Sequence, residues 1–364
     1  MTGSDKPPKP VGALAYNYTS GTAGKAYTLT DIGMQMLDHL YDKLMIDEQW
    51  SVRRERGFTW WGYRLAQHIE VSPPIRSHDL DVCIVRIWTE VARDVDPATD
   101  PAELLAAVNM QSTMSALVWD PKTATITECC TAVVHAENAA WLWKILMTAA
   151  VLQNTAAHSR AHAIADACGG TPAASNHPTS GERPELDDML NSPEHVIAPV
   201  GAEESRFTGA LAEGLGKFAW EMGWYGSSDE TGIVCEVPYT GNRPLILQDA
   251  HAPDTARETA LVRIFTDQPH PEFGNGALVL MQLPVNPGAE ESTKLANRLN
   301  IIESHGDLST PLLGAWCPDM SREDHDGLAF CSFLPNVLAR PGLLENQIVY
   351  QAARAQFALR QLQN

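Results

Sequence analysis

The chain has 364 residues, 44% of them hydrophobic and 20% charged; this is length enough for two domains with ordinary cores, and the composition excludes wholesale disorder. A formal net charge of -19 repels nucleic acid and anionic lipid and suits a partner that carries a basic patch. The seven cysteines are odd in number and form no C-x-x-C pair, which reads as buried reduced thiols rather than a disulfide framework or a zinc site.

Residues 1–28 are rich in Pro, Gly, Ser and Thr and read as a loosely draped arm, without the layout of a secretory signal. Thr30 stands as the N-cap of a first helix with Leu37, Leu40 and Leu44 on one face. Aromatic and β-branched runs at 58–63, 68–71 and 82–91 read as antiparallel strands. Pro101 opens a short helix carrying Leu104, Leu105 and Val108. Two strands at 116–119 and 125–134 follow, joined by an Asp120-Pro121-Lys122 turn. An apolar helix then runs from about Glu137 to Ala167; its core, 139–152, is too short to span a bilayer. Residues 169–202 read as a linker between a first domain, 29–168, and a second, 203–364. Ser205 caps a helix with the stripe Phe207, Leu211, Leu215, Phe218 and Met222. Strands are expected at 233–237, 244–248, 260–266 and 277–284, and Glu290 and Glu291 suit the positive end of the next helix. Strands near 312–316 and 327–333 precede a last helix bearing Leu344, Ile348, Ala352, Ala355 and Leu359. The order is α+β, not the alternation of a doubly wound sheet.

The halves echo one another. LLAAVNM at 104–110, with Asn109, is matched by LANRLNI at 295–301, with Asn300. ALVWDP at 116–121 is matched by LLGAWCP at 312–318, and IVRIWTE at 84–90 by LVRIFTD at 261–267. Three segments in one order point to duplication of a whole domain. The last match leaves the strand at 277–284 without a counterpart, so either the first half has lost a strand or that match is chance.

Chemistry-bearing motifs are few. His158, His162 and Asp166 share one helical face, but no glutamate follows the first histidine. Asp319, Glu323, Asp324, His325 and Asp326 form an acidic loop without the spacing of a calcium loop. Gly21 to Lys25 lacks the full spacing of a phosphate loop, and there is no nucleophile elbow or dinucleotide fingerprint. Asp187-Asp188 and Glu290-Glu291 are explained by a linker and a helix start. No catalytic, cofactor or metal set emerges. Adjacent Trp60 and Trp61 must point to opposite faces of their strand, so one of them is a candidate for holding a partner segment; the alternative places it beneath the linker or the arm.

A helix ending in apolar-Asn-apolar, then a strand, a turn, a strand and a helix, carried by Leu104 to Met110 with Ala116 to Pro121 and by Leu295 to Ile301 with Leu312 to Pro318, resembles the type III secretion chaperone-like superfamily, which includes the YbjN-type proteins. Cys317 departs from the pattern where the first half has Asp120. The resemblance implies two tandem copies of a helix-packed antiparallel sheet, α-β-β-(β)-α-β-β-α, paired within one chain as a pseudo-dimer or forming homodimers. It also implies a non-enzymatic, chaperone- or adaptor-like role with a protein partner. The expectation is therefore a cytoplasmic protein-binding protein with no nucleic-acid or membrane partner and no cofactor. The competing readings are an enzyme or small-molecule sensor with a site in the cleft between the copies, marked by groups such as Arg86 or Arg263, and a structural subunit of a larger assembly.

Overall fold

The first helix, α1 (Ile32–Lys43), starts at Asp31, whose carboxylate accepts the Met34 amide at 3.1 Å. It does so in a computed structural model that describes residues 31–77, 79–193, 204–207, 210–229, 231–238, 259–306, 310–319 and 327–362, with backbone alone for 210–213. Burial by itself raises the Asp31 pKa, but Arg56, at 2.7 Å, and the Met34 amide outweigh it and hold the carboxyl below its usual value. The cap is thus Asp31; Thr30 lies outside the described residues, as do the arm at 1–28 and the expected strand at 244–248.

The chain is α+β with two antiparallel sheets. In the first half come β1 (Ser51–Arg54), β2 (Gly57–Trp61), β3 (Ala66–Val71), β4 (Ile75–Ser77) and β5 (Leu80–Arg93). They are followed by α2 (Pro101–Asn109), the hairpin β6 (Ala116–Asp120) and β7 (Thr125–Val134), and α3 (Ala139–Ala167). Short β8 (Thr171–Pro172) and α4 (Asp188–Ser192) lie in the segment expected as a linker. The second half holds α5 (Ala210–Glu221), β9 (Tyr225–Asp229), β10 (Gly232–Pro238), β11 (Thr259–Phe265) and β12 (Gly276–Leu283). Then come α6 (Ala289–Ser304), the hairpin β13 (Ala315–Pro318) and β14 (Leu328–Pro335), and α7 (Leu343–Leu362).

The first sheet runs β1-β2-β3-β5-β7-β6, with β4 and β8 added alongside β5; the second runs β13-β14-β12-β11-β10-β9. Read from the outer edge inward, the two orders are the same, a four-strand meander followed by a hairpin inserted in reverse. This order corrects one of the sequence matches. The counterpart of β5 is β12, and β11 answers to β3, so IVRIWTE and LVRIFTD occupy different lanes of their sheets. The six-strand path has the same length in both sheets.

In the first sheet, alternation along β3 and β5 sends Gln67, Ile69, Val85 and Ile87 toward α1 and α3, and His68, Arg86 and Trp88 to the opposite face. Gln153 fixes α3 on this sheet. Its amide donates to Glu128 O at 2.7 Å and its carbonyl accepts from Gln67 and Thr89. Buried polar groups satisfied in this way set the register of helix on sheet. The equivalent centre of the second half is Glu303 on α6, which pairs with Arg354 of α7 at 3.2 Å and accepts the Trp316 indole at 2.9 Å. Arg354 also caps Pro311 O and lies 3.5 Å over the Phe330 ring. One continuous buried apolar cluster extends from Ile32 to Ala358 through both halves. Among the described residues no helix is long and apolar enough to cross a membrane.

Residues 169–193 are fastened to the first half. β8 pairs with β5, Ser180 and His177 reach Gln49 O and Ser51 O, Arg183 donates to Trp61 O at 2.7 Å, and Leu190 is buried. His177 accepts the Ser180 amide on Nδ1 within the tight turn His177 to Gly181, and His270 to Gly274 repeats that turn in the second half. In both, a ring nitrogen that accepts a backbone N–H leaves the other to reach a carbonyl, Ser51 O or Gln111 O.

Candidate binding site at the seam of the two sheets

The seam is built from the two inner hairpins and the helices that precede them. Asn109, at the end of α2, clamps β6 by donating to Leu117 O at 2.9 Å and accepting Leu117 N at 2.8 Å. Asn300 of α6 makes the same pair of bonds with Trp316 of β13, at 3.0 and 2.8 Å. Both amides are buried, where a two-bond partnership with one residue satisfies the groups an edge strand would otherwise leave open. The matched asparagines thus hold matching places. The clamped residues are Leu117 and Trp316, so Trp119 corresponds to Pro318 rather than to Trp316, two positions away from the Trp-Pro match in the sequence.

Beyond the start of β6, the Thr131 amide on β7 donates to Leu312 O of the second half at 3.0 Å. Beyond the start of β13, the Phe333 amide on β14 donates to Thr113 O of the first half, also at 3.0 Å. Each half therefore continues the vacated lane of the other's sheet, and the contact is reciprocal. Thr131 adds side-chain bonds to Leu312 N and Glu303 O. Several further contacts cross between the halves without a reciprocal, among them His270 to Gln111 O and Arg160 to Glu272; next to the clamps, Asn297 of α6 holds Trp119 of β6, accepting its amide at 3.1 Å and donating to its carbonyl at 3.0 Å.

Two hollows flank these contacts. A trough of about 380 Å³ lies between α2 and α6, floored by Ala106, Met110 and Pro318 and rimmed by Asp100, Glu103 and Glu290. A smaller cavity, about 210 Å³, opens where the start of α3 meets α7 and holds His135, Asn138, Trp141, Gln347 and Tyr350. Burial lowers the His135 pKa and raises that of the Tyr350 hydroxyl; Arg340 stacks on Trp141 at 4.5 Å. Glu128 sits deep beside the seam. Burial pushes it up to about 7 against the pull of Arg160 and the Ser115 hydroxyl.

The residues singled out in the sequence lie elsewhere. Trp60 is 0% and Trp61 7% exposed, so neither offers an open aromatic face. Trp60 points into the core beneath the helices, and Trp61 lies under residues 175–187, its indole on Ser175 and its ring edge-on to His177. Residues 175–187, within the segment expected as a linker, cover the second tryptophan. Arg86 is on the face of the first sheet turned away from α1 and α3, 4.5 Å over the Trp88 ring that also stacks on His68. Arg263 is on β11 of the second sheet, in register with Leu280 of β12. His158 accepts the Leu65 amide and bonds Asn154 O, a structural role that leaves no nitrogen for a metal. Asp319 is buried and accepts from Gln282; the rest of its acidic loop, 320–326, lies outside the described residues, as does Gly21 to Lys25. Among the described residues no three His, Cys, Asp or Glu side chains gather as a metal site needs, and all seven cysteines are buried and free.

The residues that build the seam were only half visible beforehand. Asn109 and Asn300 are flagged by their repetition, but Asn297 has no repeated partner and looks like any polar position of a helix. Thr131 and Leu312 join through backbone groups, which side-chain patterning does not report. Compared with family models, curated proteins and solved structures, the chain matches none.

Proposed function

We propose that this chain is a non-enzymatic, tandem binding protein, its two halves copies of one α+β unit paired as an internal pseudo-dimer, with a chaperone- or adaptor-like role toward a protein partner in the cytoplasm. The reciprocal pair Thr131 to Leu312 and Phe333 to Thr113 carries this reading. An isologous contact, in which each unit gives the other what it receives, is the signature of a twofold pairing. Identical strand order and the two asparagine clamps support it, and so does the resemblance to the chaperone-like superfamily. A twofold pair locked by buried polar contacts is a rigid platform, and rigidity lowers the entropic cost of holding a partner. The test is crosslinking in the cells of origin followed by purification of the full chain. A stoichiometric protein partner is expected, and recovery of the chain alone at every crosslinker length would sink the proposal.

A second reading, a small-molecule sensor, draws on the cavity with His135, Trp141 and Tyr350, whose walls come from both halves. Native mass spectrometry of the purified chain tests it. A co-purifying small mass that is lost on Tyr350→Trp supports this second reading over the first; a bare chain removes it.

A further inference from the structure

Beside the two asparagine clamps, one contact crosses the seam with no answering pair. Asn297 reaches across to Trp119, and the positions that answer to them, by the asparagine clamps, are Ala106 and Pro318. Alanine has no amide to offer and proline no N–H to receive one, so the bond cannot form there. Ala106 and Pro318 instead line the trough of about 380 Å³. On one side of the seam a side chain closes the gap between α6 and β6; on the other side the same gap, between α2 and β13, stands open.

We propose that this trough is the seat of a lysine or arginine side chain presented by a segment of the protein partner, a deepening that rests on the protein-binding function proposed above. Ala106, Met110 and Pro318 give an apolar floor for the methylene stem of such a residue. Asp100, Glu103 and Glu290 give the rim. Lys294, the single cation lining the trough among the described residues, is already engaged by Glu290 at 2.6 Å. Asp100 and Glu103 make no ion pair among the described residues. Asp100 occupies the N-cap of α2 but its carboxylate does not cap the helix, unlike Asp31 on α1, so it is available at the rim. A basic, apolar-flanked segment complements this surface in both charge and shape. The net charge of -19 speeds its approach, whereas an acidic segment meets repulsion at the same carboxylates.

The experiment measures anisotropy of a fluorescein-labelled peptide of alternating Leu and Lys with the full-length chain at physiological salt. A Leu-Glu peptide and a peptide with every lysine acetylated serve as comparisons. Binding is expected for the basic peptide alone, since acetylation keeps the stem and removes the charge. Asp100→Asn with Glu103→Gln, or Ala107→Trp to plug the trough mouth, is expected to weaken it about tenfold or more. Glu55→Gln with Glu185→Gln removes the same charge elsewhere on the surface and is expected to leave affinity within about twofold. The proposal is overturned if the basic peptide does not bind, if the trough variants bind as tightly as the parent, or if the distant pair weakens binding as much as the trough pair does. Crosslinking of the trough variants in cells separates the two levels. A partner still recovered at full yield leaves the binding function standing and removes the trough, whereas no partner with the parent chain removes the function itself.

Discussion

The Thr131 amide donates to the Leu312 carbonyl, and the Thr131 hydroxyl accepts the Leu312 amide in return. One residue of the first half therefore satisfies both backbone groups of one residue in the second. The same hydroxyl donates to Glu303 O at 3.2 Å, at the end of the helix whose carboxylate holds Arg354. Severing this point disturbs both halves at once. Thr131→Val keeps the shape and the backbone bond but leaves the Leu312 N–H without its hydroxyl partner in a dry setting, while Glu303 O keeps the Gly306 amide, at a cost of about 1–3 kcal/mol. Urea unfolding at neutral pH measures it; a midpoint equal to that of the parent would contradict the structure.

Because one apolar cluster runs through both halves, the halves are expected to unfold together. Asn109→Ala and Asn300→Ala each orphan a buried N–H and a buried carbonyl, and each is expected to cost about 2–4 kcal/mol, two such groups at 1–2 kcal/mol apiece. Both should move a single calorimetric transition rather than split it, although the changes lie in different halves. Two separated transitions in either variant would show that the seam does not couple the sheets. Asn297→Ala, at a half-buried position with no counterpart, should cost less than either.

How much of this was legible beforehand depends on which groups carry the contact. Side-chain periodicity gave most helices and strands, because burial of alternate or every third or fourth residue is written in residue types. The asparagines were legible because a polar residue recurring in two otherwise apolar helix ends needs a partner. What they clamp was not, since the partners are main-chain groups that any residue carries; hence the Trp-Pro match slipped by two. The IVRIWTE match misled for a related reason. Strands β5 and β11 share alternation and β-branched residues, which every inner strand of such a sheet requires, so local likeness says little about lane. For Trp61 both readings, exposed or beneath the linker, stayed open because its cover, residues 175–187, is polar and rich in turn formers; it docks through His177, Arg183 and backbone groups rather than through an apolar face.

Glu128 makes stability fall as pH rises through the neutral range. In the unfolded chain it titrates near 4.5, while burial lifts it to about 7 in the folded protein. Between those values the folded state binds the extra proton, so this group's contribution is greatest at the acid end and is lost as pH passes 7. Glu128→Gln removes the titration and keeps an acceptor for Ser115. The variant is therefore expected to gain on the parent between pH 5 and pH 8 by at most about 3 kcal/mol. Comparing the two pH values cancels any fixed cost of the amide. Equal differences at both would show that Glu128 is ionised throughout.

His68 acts with the opposite slope. Burial, then the positive charge of Arg54 and, more weakly, of Arg86 and Arg93, depress it to about 4, with Glu90 opposing. Its Nδ1 contacts the Thr59 hydroxyl at 2.9 Å and its ring stacks on Trp88 beneath Arg86. The unfolded chain takes up a proton near 6.5 that the folded chain refuses until about 4. This contribution is thus whole above 6.5 and is lost as pH falls from there toward 4. Burial lowers His39, His135, His158 and His270 as well, and these steepen the same limb. Urea midpoints taken from pH 7 to pH 4 should decline, and His68→Gln should flatten the decline without abolishing it, because the other histidines remain. A variant whose acid limb overlays that of the parent would mean that His68 is protonated in the fold at pH 6, against the direction in which burial and then the charge of Arg54 shift it.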